Sequence, residues 1–534
     1  MFLNALSAIL ATLTPERAPL YRVPSARAAK AETDAINAIN RVHRSMPLSR
    51  RMEEPEEYAR VQRERRHDLE ALLFRGDKPA MRTAMDLICE IAEETSWALS
   101  PAEAFEDEFH PTIDTQAAQT AALFGWVARA LGDRLDEISP RIRSRLLYET
   151  RRRIFAPVLA HDDYAFLRGE APGSVDILCS IITAAILLEP DVSKRAAILK
   201  RLFKYLDACL DSTPPAPVAF RLADACAVAD LGQLIKRATL GVVDKTQELP
   251  DEQWLDEILF SHVTDGWFLN FFGGSAQPAL SGQAIFRLGR VCGDRALMAL
   301  GAALHRHNSL PSPSVTGRLF DFAHWEALQA ELSPVPRLKH AAMDDGRILQ
   351  ARGAGFFCAL TTGGNSRNVG DLTLYLDNVP VLLPEKGYCS IPTISGMAQL
   401  SAPTAAPQPD WEFTDERAIM GVDVSRAYPP ETGVRAHQRT LMLAREEYSA
   451  QLVDVFDFDA AKDVCFRFVT PMEPQRVESG AKLGPALFLW EGDPEVTARA
   501  LGSSPSFPQG IWEICLTYVQ AAPRSMYTFF FKHA

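Results

Sequence analysis

The stretch from Leu372 to Leu383 reads LTLYLDNVPVLL. Two apolar runs of strand length, Leu372–Leu376 and Val379–Leu383, flank Asp377-Asn378. Asp and Asn tolerate left-handed backbone, so this pair between apolar runs marks a tight hairpin turn. Outward from it the same pattern recurs. Gly355 to Leu360 lies upstream, and Ala436 to Leu443, Tyr448 to Phe456, Val464 to Thr470 and Met526 to Lys532 lie downstream. Short apolar runs separated by turn residues predict an antiparallel β region, read here as a sandwich. The region begins after Pro334-Val335-Pro336, where the apolar period shifts towards two.

Before that point apolar residues recur at helical spacing, and Ala, Leu and Arg dominate. Thr115 to Leu131 predicts a helix, with Asp114 or Thr115 as its N-cap and Gly132 as its stop. Further helices are expected over Pro140–Leu159, Ser174–Leu188, Val192–Leu210 and Ala219–Leu240. Asp251–His262, Ser281–Val291 and Arg295–Leu304 complete the set. Short turns between so many helices require antiparallel pairs, in a bundle, a solenoid or a closed ring. No residue-level repeat supports a standard solenoid. The expected domains are therefore 1–335, helical, and 340–534, a β-sandwich. Ser49 to Arg66 alternates in charge and reads as a solvated, ion-paired helix face rather than a binding arm. Ala402 to Pro409 is a Pro/Ala-rich loop.

Composition narrows the function. Of 534 residues, 47% are hydrophobic and 23% charged, which is the balance of a folded globular chain. Lys+Arg number 56 against Asp+Glu 68, a net charge of -12. With no basic stripe to offset that charge, a phosphate backbone is repelled and a nucleic-acid partner is not expected. No apolar stretch is long enough for a transmembrane helix, so no membrane partner is expected. Met1 to Leu10 lacks a basic start and a clear cleavage site, and reads as a first amphipathic helix rather than a signal peptide. The nine cysteines include no C-x-x-C pair. They read as free thiols in a reducing compartment, and so as a cytoplasmic protein.

Five phrases carry a resemblance to a known family. They are Thr95-Ser96-Trp97-Ala98-Leu99 with Pro101-Ala102, Ile113-Asp114 with Ala118-Gln119-Thr120-Ala121, and Asp265 to Phe271. Val369 to Asp377 and Tyr388 to Ile394 are the other two. In order and setting they resemble the T-W-x-L-P-A-H, L-D-x-x-A-A-E-T-A, V-N-F, D-V-G-S-F-I-L-Y-L-D and Y-H-N-L-P-T-I phrases of bacterial heparinase II/III-like polysaccharide lyases. The resemblance runs from about Thr95 to about Pro471. It implies an incomplete α/α toroid followed by an antiparallel β-sandwich. It also implies an acidic polysaccharide or oligosaccharide as partner, cleaved beside a uronic acid by β-elimination. That chemistry needs donors that neutralise the uronate carboxylate, a Tyr or His that removes the neighbouring proton, and an acid for the leaving oxygen.

Carried over residue by residue, the resemblance places Ser174 where the family has its neutralising Asn. Phe220 falls at the catalytic tyrosine, with the spacing anchored at Asp230. The family's H-N-H-N-D phrase shortens here to Gly364-Asn365-Ser366-Arg367-Asn368, so Ser366 replaces the histidine and Asn368 the aspartate. The family's structural zinc ligands fall at Pro384 and Cys389, so no zinc or other cofactor is expected. Glu103 replaces the P-A-H histidine. The reading is a degenerate member, a glycan-binding or non-catalytic paralogue. The alternatives are an active lyase with a remodelled site and a scaffold or assembly protein. A remodelled site would draw on Tyr164, Tyr375, Tyr388, His161 and Arg367. Ordinary sandwich packing is the plainer account of Tyr375, and a helix-dipole contact that of His161. Trp97, Trp126, Arg153, Trp267 and Arg367 are the candidates to line a sugar groove. His305 and His307 fall on different helix faces and make poor joint ligands. A homodimer is a further expectation.

Overall fold

The computed structural model describes residues 25–42, 51, 53–75, 77–99, 107–211, 217–246, 250, 252–271, 273–343, 346–363, 368–385, 387–400, 409–504 and 506–534. The readings of Met1 to Leu10, Glu103, Ser366, Arg367 and the 402–408 part of the Pro/Ala-rich loop lie outside these residues. The chain divides into two compact units. One holds Met1–Thr213, Leu222–Glu252 and Leu280–Val335; the other holds Pro214–Arg221, Gln253–Ala279 and Pro336–Ala534.

In the first unit successive helices pair through short turns, as Thr115–Ile138 with Pro140–Thr150, Ser174–Leu188 with Val192–Asp211, and Gly282–Cys292 with Arg295–Asn308. The Ser174–Leu188 helix is apolar on nearly every side, and all of its residues are buried. A helix without a polar face must lie inside the helical layer. The Thr115–Ile138 helix packs on it at Gly125, where an added Cβ would sit 3.0 Å from the Leu187 Cβ. Asp114 starts that helix, its carboxylate accepting from the Ala117 N–H at 2.8 Å. Gly132 does not end it. The helix runs to Ile138 and Gly132 makes room for the Arg143 guanidinium, 2.5 Å from where a Cβ would stand.

Two other expectations change. Pro140–Leu159 is broken into Pro140–Thr150, a π-turn at Arg151–Phe155 and Ala156–Ala160. Pro157 has no N–H for the Arg153 carbonyl, and the wider turn accommodates that loss. The charged segment folds as the Pro55–Ala71 helix, yet Arg65 and Arg66 are buried rather than solvated. Arg66 Nη2 meets Glu94 at 2.7 Å and Arg65 Nη1 meets it at 3.2 Å, so the charges are satisfied inside. A helix at Val315–Ala330 has no counterpart in the sequence reading. Val315, Thr316, Phe320 and Trp325 are weak helix formers, and the Ser314 hydroxyl cap on the Gly317 N–H starts it.

Every strand pairing among the described residues of the second unit is antiparallel. A five-stranded sheet runs in chain order through His340–Met343, Ile348–Gly353, Phe356–Thr361, Leu372–Leu376 and Val379–Leu382. Asp377 and Asn378 form its last turn with φ of 50° and 65°, the left-handed pair expected of that hairpin. An eight-stranded sheet is centred on Arg524–His533, Ser449–Phe458 and Val434–Ala444, and a four-stranded sheet on Ile511–Ala521 and Lys462–Thr470. One core joins the three, with Leu349 and Leu374 from the first, Leu452 and Phe529 from the second, and Phe466 from the third. That arrangement is a β-sandwich. The short hairpin of His262–Thr264 and Trp267–Phe268 belongs to this unit, because Val263 and Leu269 pack with Ile348, Phe357 and Tyr375.

Candidate functional site

In the helical unit Ser174 opens its helix behind Gly173, whose φ is 74°. The Ser174 hydroxyl donates to the Ala171 carbonyl at 2.6 Å, and the side chain is buried. Two residues on, Asp176 is a buried carboxyl held by Gln119 Nε2 at 2.9 Å. Burial pushes its pKa up to about 6. Trp97 is buried, donating Nε1–H to the Ile91 carbonyl at 2.9 Å. Arg153 lies 5.2 Å from its ring centroid and donates to the carbonyls of Ala92, Glu94 and Thr95. Trp97 and Arg153 therefore meet, but they do so closing the end of the Lys78–Ala92 helix. Trp126 is also buried, donating to the Thr316 hydroxyl at 3.0 Å. Asp230, the anchor for the tyrosine spacing, pairs with the fully buried Arg287 at 2.9 Å, with Asp321 on the same guanidinium.

His161 follows the Ala156–Ala160 helix, and its Nε2 donates to the Phe109 carbonyl at 2.9 Å, outside that helix. Its ring stands 4.6 Å from that of His110. Tyr164 is buried and donates to the Pro111 carbonyl at 3.0 Å.

In the second unit Phe220 is 47% exposed and has no hydroxyl to titrate. Tyr375 is 1% exposed, packed against Trp267 and Phe357, and burial raises its pKa well above the ordinary phenol value. A phenol so placed serves packing and is a poor base. Trp267 is half-buried and stacks on Phe507 at 5.3 Å, and Tyr388 is half-buried beside the same cluster. At the positions that the resemblance assigns to zinc, the Pro384 carbonyl accepts from Asn270 at 2.6 Å. Burial pushes the half-buried Cys389 thiol up to about 12, which disfavours the thiolate a metal would need.

Each unit also carries a cavity rimmed by cations. One of about 550 Å³ in the helical unit is lined by the cations Lys236, Arg237 and Arg290, and by His324, a neutral ring whose pKa burial and the neighbouring arginines lower to about 3. Another of about 400 Å³ in the β unit is lined by Arg337, Lys339, Arg352 and Arg445, with Asp377 at its edge. Burial, with a smaller push from Arg337, lowers the Arg352 pKa to about 10. These cations escaped the sequence reading because they lie far apart in the chain.

The architecture has known counterparts. The chondroitin AC lyase of Streptomyces coelicolor A3, solved in complex with chondroitin sulphate, matches over 99% of this chain and 82% of its own, with TM-score 0.54 and 12% identity. The chain has a polysaccharide-lyase-like fold. Within that lyase-like fold the helical unit is the α/α toroid of antiparallel helix pairs, and the second unit is the antiparallel β-sandwich. A heparan sulfate lyase from Pedobacter heparinus matches 93% of this chain and 92% of its own, at TM-score 0.38 and 10% identity. No protein-family model matches the sequence, and no curated protein matches it.

Proposed function

We propose that the chain binds an acidic polysaccharide or oligosaccharide without cleaving it. The reading rests on the residues that the resemblance places at the family's catalytic positions. Phe220 brings no hydroxyl, and the Ser174 hydroxyl is already donating to the Ala171 carbonyl. Losing a general base costs about 10²- to 10⁴-fold in rate, and losing a carboxylate-neutralising donor a further 10²- to 10³-fold or so. The arginines at the two cavities support the choice of ligand, since carboxylate and sulfate groups seek guanidinium partners, while Lys236 and Lys339 are each already paired with an aspartate. The second component of the proposal is that the sandwich positions at Pro384 and Cys389 hold no zinc.

The test is the ultraviolet absorbance of the unsaturated uronate that elimination leaves behind. Heparin-like, chondroitin-like and alginate-like chains are the substrates, with binding to the same glycans followed by calorimetry. Binding with flat absorbance is expected. Robust turnover by the unmodified chain would overturn the reading, and absence of binding to every acidic glycan would remove its ligand.

A further inference from the structure

His110, His161 and Asp163 stand together in the helical unit, although about fifty residues of chain separate the first from the others. One nitrogen of each imidazole and one carboxylate oxygen lie within 4.8 Å of one another. We propose that these three residues form a binding site for a divalent transition metal, of the zinc class, which ties the loop before the Thr115–Ile138 helix to the loop after the Ala156–Ala160 helix.

The donor set suits such an ion: neutral imidazoles and a carboxylate are borderline ligands that zinc takes at about 2.0–2.2 Å. Ligand atoms around a tetrahedral zinc lie about 3.3 Å apart, so the spacing present needs side-chain shifts of about an ångström. His110 Nε2 already meets Asp163 Oδ1 at 2.9 Å. The other features are those of a supported site. The His161 Nε2–H donates to the Phe109 carbonyl at 2.9 Å. A carbonyl can only accept, so this bond fixes the tautomer and leaves Nδ1 of the neutral ring as the electron-pair donor. His110 stacks on Tyr164 at 4.5 Å with 17° between planes, and the Tyr164 hydroxyl donates to the Pro111 carbonyl. The neighbouring Asp162 is taken by Arg201 and Tyr205, both at 2.6 Å, so the adjacent cation neutralises Asp162 rather than Asp163. Asp163 is exposed and the two histidines are half-buried, which gives an ion an entry path and leaves its fourth position to water.

The site is separate from the aligned zinc positions at Pro384 and Cys389, and its test keeps the two apart. The full chain, stripped with chelator and dialysed, is titrated with Zn²⁺ by calorimetry and with Co²⁺ by visible absorption. About one equivalent should bind saturably at micromolar concentration or below, with the melting temperature rising on loading. His110→Ala and His161→Ala should each weaken binding by about tenfold or more, whereas Cys389→Ser should leave it unchanged. Asp163→Asn, at an exposed position, should weaken binding with the metal-free melting temperature unaltered, which separates lost ligation from misfolding. Absence of saturable binding, or equal binding by wild type and all three site variants, would overturn the assignment.

Discussion

Two buried aspartates illustrate how opposite environments set opposite pH responses. Asp176 is pushed up to about 6 by burial, with only Gln119, Ser180 and a more distant Arg318 opposing. Between about pH 4 and 6 the folded chain holds a proton that the unfolded chain has released. Stability therefore falls as pH rises through that window, by about 1–3 kcal/mol in all. Asp176→Asn should accordingly raise the melting temperature at pH 7.5 and have little effect near pH 4. Asp454 is the reverse case. Burial opposes its charge, yet Arg439 at 2.9 Å and His437 at 2.6 Å hold its carboxyl below the ordinary value. Its contribution is present above about pH 4 and lost as pH falls through the folded value. Asp454→Asn should cost about 3–5 kcal/mol at neutral pH, because it strands the Arg439 charge inside the sandwich. Urea melts at several pH values check both; a destabilising Asp176→Asn at pH 7.5 would contradict the first.

At the scale of elements, the Gly282–Cys292 and Arg295–Asn308 helices pack backbone against backbone. A Cβ on Gly301 would stand 2.3 Å from the Phe286 backbone nitrogen, and one on Gly282 2.3 Å from that of His305. Backbone cannot yield as a flexible side chain can, so Gly301→Ala should cost about 1–3 kcal/mol or more. Gly241→Ala provides a contrast, since nothing lies within 4 Å of its added Cβ and only its φ of 83° opposes the change. Thermal denaturation of the two variants should rank Gly301→Ala as the more damaging. The spacing of apolar residues revealed these two helices, but Gly282 and Gly301 read only as small residues until the partner backbone was in place. The same limit hid the strands at Ile348–Gly353 and Arg417–Asp423, whose charged or glycine ends weaken the period-two pattern.

For the whole molecule, a lyase-like fold and lyase chemistry are separate properties, and the proposed absence of turnover is tested at this scale. Restoring only the phenol, in Phe220→Tyr, should leave the uronate absorbance flat, because the groups that acidify the substrate proton are still absent. Phe220→Tyr with Ser174→Asn and Ser366→His is the combination that could regain turnover, read by the same absorbance. Measurable turnover from Phe220→Tyr alone would show that the neutralising function is carried by residues other than Ser174.

The sequence by itself determined the class of each half, since periodicity and turn chemistry are local and need no partner. Helical spacing up to Val335, the Asp377-Asn378 hairpin and the Asp114 cap were all legible there. Which residues stand at the lyase positions is what the resemblance implies, and it stays an expectation. Tertiary structure alone decided what the candidate side chains do. Trp97 and Arg153 looked like sugar-groove residues and turned out to close a helix end, and Tyr375 lies in the core. Arg65 and Arg66 looked solvated and face Glu94 inside. His110 and His161, unremarkable apart, share one cluster. Burial and pairing depend on contacts between segments distant in the chain, and those contacts have no local signature.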